Sequence, residues 1–193
     1  MKHNSTQALY AYWNERRGPR PAPERADIEP GAIRAALGDS FILGTEPEVT
    51  FRLAGTRVCS LFGRELKGES FNDLWSPRDG ATAADLLAIV ANEIAGIVAG
   101  VTATTAEGYG VDLELLLLPL RHRGSSHLRQ IGVLAPLARP FWLGASPVTT
   151  LALTGHRHVG PALRGVAATP FMAAAAEASR VRHGLLVYDG GRA

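Results

Sequence analysis

Apolar residues recur along this chain first with a helical period, then with a period of two, then again helically, and at last in long alternating runs. Residues 5–16 set Leu9, Tyr12 and Trp13 at helical spacing with Arg16 and Arg17 at the end, which predicts a first helix. "GPRPAPER" at 18–25 is a proline-rich link, and Pro30 opens a short helix, "PGAIRAAL". "FIL" at 41–43 and "VTFRLAG" at 49–55 read as paired strands across the turn "GTEPE", with Val49, Phe51 and Leu53 on one face of the second. "TRVCSLFG" and "SFNDLW" then make short helical turns. A capping pattern, Thr82-x-x-Asp85, starts the strongest helix; Leu86, Ile89, Val90, Ile94 and Ile97 form its stripe and Gly100 closes it.

Three strands follow: "VTATT" from Val101, "VDLELLLLPL" and "HLRQIGVLAPL". The second puts Val111, Leu113, Leu115 and Leu117 together, with Asp112 and Glu114 opposite, on a side expected to be solvated. The third groups Ile131, Val133, Ala135 and Leu137. The connections "EGYG" and "RHRGSSH" are hairpin-sized, so the strands form a meander. Helices between the two strand groups cover one face of an antiparallel sheet, an α+β layer arrangement.

Composition narrows the function classes. The chain has 193 residues, 46% of them hydrophobic and 20% charged, with a net charge of +2. Arginine outnumbers lysine 18 to 2, yet no element carries the basic stripe of a nucleic-acid binder. One cysteine forms no intramolecular disulfide, and no Cys/His spacing matches a structural zinc site. The start "MKHNSTQALYAYWNERRG" lacks a signal-peptide core, and the apolar segment 83–101 is interrupted by Asp85, Asn92 and Glu93, as in a buried helix. These features predict a cytoplasmic protein without membrane insertion.

The order of elements and the stretch 51–75 resemble the PAS superfamily of sensory and interaction domains. "LFGRELKG" carries an apolar pair, Gly, polar residues, Leu and Gly at Leu61, Phe62, Gly63, Glu65, Leu66 and Gly68. "SFNDLWSPRD" looks like the segment that leads into the long helix. "RADIEP", "FRLAGT" and "YDGGR" are wording similar to stand-alone PAS proteins of proteobacteria. The resemblance implies a five-stranded antiparallel sheet with helices on one face, often around a small apolar cavity. It implies sensing, dimerisation or scaffolding and leaves the ligand open. The expected organisation is a flanking helix and link at 1–25, a PAS-like domain at 26–145 and an extension at 146–193. In that extension Thr169 and Pro170 start a helix over about 170–183, and the strand 185–188 covers apolar or edge surface.

Candidate chemistry is sparse. A flavin photosensor would need an asparagine before its cysteine and polar partners on the late strands; "RVCSLF" lacks the first, so Cys59 reads as a core cysteine. A haem-binding PAS domain needs a histidine in the helical half, whereas the histidines are His3, His122, His127, His156, His158 and His183. No metal or cofactor is therefore expected. Asp73, Asp79, Asp85, Glu93, Asp112 and Glu114 fall in no catalytic motif. What remains is an apolar pocket lined by Phe51, Leu53, Cys59, Phe62, Trp75, Leu115, Leu117 and Val133. Leu9, Tyr12 and Trp13 form a helix face suited to a homodimer. The expected function is a non-enzymatic sensory or regulatory module without its own output domain, acting through dimerisation, a signalling partner or a small apolar ligand. The alternative is a small-molecule enzyme or carrier on a similar sheet, which should place a His/Asp pair in its cavity.

Overall fold

The computed structural model describes residues 1–44, 48–93, 95–121, 129–160, 179–182 and 185–188. It comprises two units, residues 1–162 and 163–193. The first unit is α+β. Its strands β1 (Ser40–Gly44), β2 (Thr50–Ala54), β3 (Gly96–Thr105), β4 (Gly110–Leu120), β5 (Arg129–Pro136) and β6 (Val148–Val159) form one antiparallel sheet in the order β2-β1-β5-β4-β3-β6. Helices α1 (Asn4–Arg17), α2 (Thr56–Phe62) and α3 (Gly80–Glu93) flank it. No helix among the described residues is long and apolar enough to cross a membrane.

Helices pack on both faces of the sheet, not on one. One core gathers Phe41, Leu43 and Phe51 with Leu113, Leu115 and Leu117 beneath α2 and α3. The second gathers Leu9 and Trp13 of α1 with Ile42, Leu116, Leu118, Ile131 and Val133. The run Leu115 to Leu118 supplies both, because successive strand residues point to opposite faces. Leu9 and Trp13 are 0% exposed, and Trp13 Nε1 donates to the Pro119 carbonyl at 2.8 Å. The face assigned to a homodimer is thus buried in its own chain. Tyr12 is partly buried; its hydroxyl donates to the Asp27 carbonyl and accepts from the Glu29 amide.

A bulge reverses part of β2. Ile42 pairs with Leu53 but Leu43 pairs with Phe51, so Arg52 is the extra residue and Phe51 and Leu53 face opposite sides. Phe51 is buried and Leu53 is 45% exposed. The helix-to-strand boundary also differs from expectation. The residues Ile97, Ala99, Val101 and Ala103 alternate into the larger core as β3, so Ile97 and Gly100 belong to the strand and not to the helix. "GIVAG" satisfies either period, and pairing with β4 and β6 decides it. The start of α3 is held not at Thr82 but by Ser76 and Asp79: Ser76 Oγ donates to Asp79 Oδ2, the Asp79 amide donates to Ser76 Oγ, and the Ala83 amide closes on the Asp79 carbonyl.

Gly132 marks the tightest crossing in the sheet. A Cβ there would collide with the Leu116 carbonyl and the Phe41 ring, whose Cε2 would lie at 2.7 Å. Gly132→Ala should destabilise by about 1–3 kcal/mol, as over-packing does. Chemical denaturation checks it; an unchanged midpoint would show that the ring gives way freely.

The edge of β3 is covered by β6, a strand that the sequence reading left inside the extension. The second unit contains β7 (Ser179–Arg182) paired antiparallel with β8 (Leu185–Tyr188). Of the helix expected over 170–183, residues 170–178 and 183 lie outside the described residues, and Ser179–Arg182 is a strand. Its Ser-Arg-Val-Arg alternation fits a period of two, and the partner strand two residues away outweighs helix propensity. β8 is thus half of a two-stranded sheet with β7.

Candidate functional site

The expected pocket residues do not form a common lining. Phe51, Phe62, Trp75, Leu115 and Leu117 pack within the larger core, where Phe51 and Trp75 both flank Phe71 at ring separations of 5.8 Å. Val133 pairs with Leu116 and joins the opposite core. Leu53 is turned out by the bulge. Cys59 is half-buried outside either core, with its Sγ 3.6 Å from Glu65 Oε1. Burial pushes its thiol up, and Glu65 adds to this, so it lacks the thiolate character of a nucleophile.

Open space lies elsewhere. A cleft of about 560 Å³ is bounded by the start of α1, the turn before β1, α2, the end of β5 and the loop leading to β6. Its polar residues include His3, Ser5, Asp39, Arg57 and Arg139; Leu61, Leu134 and Leu143 give it apolar walls. Asp39 organises one side. It ends a tight turn, Leu37–Asp39, and is 3% exposed. Arg57, in the first turn of α2, meets it with both nitrogens of one edge, Nε to Oδ1 at 2.6 Å and Nη2 to Oδ2 at 2.8 Å. Ser5 Oγ donates to Oδ2 at 2.6 Å, and Arg57 Nη2 also reaches the Ala35 carbonyl at 3.0 Å. Gly38 permits this approach, since a Cβ there would lie 2.7 Å from Arg57 Cζ.

These contacts set the local charge. Burial alone would raise the Asp39 carboxyl, but hydrogen bonds from Arg57 and Ser5 hold it below the usual carboxylate range. Its charge is therefore present and already matched. The helix α1 opens at the same cleft with no acidic residue in its first turn, so the positive end of its dipole is not neutralised by its own side chains. Arg139 is exposed on the rim and has no hydrogen-bond or ion-pair partner among the described residues. The rim loop is itself anchored: Trp142 is buried and stacks on Tyr109 at 5.9 Å, while the Ala145 and Ser146 amides donate to its carbonyl.

Glu114 fixes the chain just before α1. It is 5% exposed, not solvated as its strand position suggested, and accepts from the Lys2 amide at 2.7 and 3.0 Å and from the His3 amide at 2.9 Å. Burial opposes its charge, yet these amides hold its carboxyl below the usual range. Asp112, its neighbour two residues away, is exposed as expected and accepts from Thr102 Oγ1. A second cleft of about 300 Å³ lies beside Glu114, between Lys2, Leu113 and His156. The N-terminal segment thus runs between two clefts, held by two buried carboxylates. Among the described residues no group of His, Cys, Asp and Glu could hold a metal ion.

Sequence reasoning missed Asp39, Arg57, Ser5 and Arg139. It also missed Gln130, which is buried on the larger-core side of β5, donates to the Leu87 carbonyl at 2.8 Å and ties α3 to the sheet. An uncharged polar residue directly before "IGVLA" was the available signal.

Comparison with known proteins bears on family and fold. No curated protein matches the chain. Among solved structures, a LOV protein from Rhodobacter sphaeroides is 17% identical with a TM-score of 0.43, over 53% of this chain and 60% of that one. A PAS domain from a Colwellia psychrerythraea protein is 15% identical with a TM-score of 0.42, over 54% and 93%. The photo-excited blue-light photoreceptor Vivid is 13% identical with a TM-score of 0.45, over 66% and 93%. The family model described as PAS domain matches residues 1–135, so its span takes in α1 as well as the strands β1 to β5 and ends before β6. The chain belongs to the PAS domain family.

Proposed function

We propose that this chain is a sensory or regulatory PAS module that receives a small molecule in the cleft between α1, α2 and the β5–β6 loop. Its output would be a change in how residues 1–6 and α1 are held, read by another protein. The observation that carries this reading is the meeting of three separate chain segments at one open cleft, through the Ser5–Asp39–Arg57 contacts. An occupant there touches the segment that positions α1. The interior gives less support, because the Phe41, Phe51, Phe71 and Trp75 rings pack against one another. A cytoplasmic setting fits the single free thiol.

The enzyme alternative meets a specific objection in the same cleft. His3, Ser5 and Asp39 all line it, which superficially suggests hydrolytic chemistry. The Ser5 hydroxyl, however, is buried and donates to Asp39, and His3 Nδ1 accepts from the Ser5 amide as the cap of α1. A nucleophile must instead hand its proton to the base. These residues hold structure.

Ser60 is exposed on the cleft wall, so Ser60→Trp should fill the cleft without disturbing either core. In a thermal-shift screen of small metabolites, compounds that stabilise the native chain should lose their effect on this variant. Equal stabilisation of both proteins would remove the cleft from the account. The purified protein should also be colourless after desalting, since the helical half 56–100 offers no haem histidine and its core is filled by side chains. A retained visible absorption band would place the input in the interior.

A further inference from the structure

The cleft's chemistry narrows what it accepts, and the narrowing rests on the reading of it as the input site. We infer that its ligand is an amphipathic monoanion, a single carboxylate on a short apolar body. The two Asp39 oxygens are taken by Arg57 and Ser5, so the carboxylate and the Arg57 guanidinium offset one another. What remains uncompensated on the cleft wall is positive: Arg139 on the rim, without a partner among the described residues, since the start of α1 already has Asp39 on Ser5 and Glu114 on the Lys2 and His3 amides. Arg57 Nη1 takes no hydrogen bond among the described residues and adds a donor beside it. The planar Arg139 guanidinium, with the Arg57 Nη1 donor on the same cleft, suits a carboxylate.

Two further features select within anions. The Asp39 charge, matched but close, disfavours a dianion, which one free arginine would not balance. Leu61, Leu134 and Leu143 with Ala35 and Pro136 give part of the cleft an apolar wall. They suit a short hydrocarbon. The volume, about 560 Å³, lies within the roughly 300–1,000 Å³ usual for small-molecule sites.

Octanoate is a suitable probe, with octanol and octylamine as its neutral and cationic counterparts. Titration calorimetry on the full chain should show octanoate binding at least about tenfold more tightly than octanol, and octylamine not at all; tenfold corresponds to about 1.4 kcal/mol. Arg139→Gln, a change at an exposed position, should remove most of that preference while leaving the melting temperature in the absence of ligand unchanged. Ser60→Trp should abolish binding of every probe. Equal affinity for octanoate and octanol, with binding lost in Ser60→Trp, would overturn the anion assignment and leave the cleft as the input site. Binding that survives Ser60→Trp, or absence of binding by all three probes together with no cleft-dependent hit in the metabolite screen, would overturn both.

Discussion

Trp13→Ala should destabilise the protein by about 3–5 kcal/mol, the range for emptying a buried aromatic site. The side chain is 0% exposed, stands between α1 and the sheet, and also loses the bond from its indole to the Pro119 carbonyl. Were α1 a dimer helix held away from its own sheet, the same substitution would change association and leave monomer stability nearly intact. Denaturant unfolding at two protein concentrations separates these outcomes. A large loss independent of concentration is expected, because Leu9 and Trp13 join Leu116, Leu118, Leu120 and Ile131 within one chain.

Glu114→Ala should cost about 3 kcal/mol and free the chain start. Each hydrogen bond to a charged group is worth about 1.5–3 kcal/mol, and the Lys2 end can rehydrate, so the sum is not fully lost. The same contacts predict the acid response. Glu114 and Asp39 both have carboxyls held below their ordinary values in the folded protein. Their contribution is therefore complete above the usual carboxylate range and disappears as pH falls through the lowered folded values. Acidification should loosen residues 1–6 and α1 before the larger core. The indole N–H resonance of Trp13 against amide signals from β4 would resolve the two steps. In Glu114→Ala the early step should already be partly complete at neutral pH; an unchanged acid profile would show that Glu114 does not hold this segment.

Much of the architecture was legible because it depends on periodicity. Helix α1, the pair β1 and β2, and the alternation of β4 and β5 follow from spacing, and the glycine pattern near Gly63 and Gly68 pointed to the family. What failed were features that local pattern does not encode. One bulged residue, Arg52, turns Leu53 away from Phe51. Two irregularities do the same to β6: Thr104 pairs with Thr150 while Thr105 pairs with Val148, and Val101 pairs with Leu153 while Gly100 pairs with Gly155. Thr149 and Thr154 are the extra residues, so no strict alternation survives in "VTTLALTGHRHV". The apolar run Leu115 to Leu118 did announce burial on both faces, and giving weight to it would have placed α1 on the sheet. It would also have questioned a solvated Glu114.

The cleft was harder to read for a different reason. Asp39 and Arg57 stand on two separate turns, and only the return of the chain through β1 and β2 joins them. Ser5 and Arg139 approach from still more distant segments. Nothing in the spacing of these residues distinguishes them from solvated charges. The burial of Asp39 and Ser5 and their pairing with Arg57 are tertiary facts, and so is the cleft that these residues border with Arg139.

The central claim is that the input enters at this cleft and acts on the chain start. Hydrogen exchange of the full protein, measured with and without saturating octanoate, tests it most directly. The expected result is slowed exchange in residues 1–6, 35–39, 57–61 and 139–144. Slowing confined to residues 71–75 and 113–117 of the larger core, with the chain start unaffected, would contradict the account.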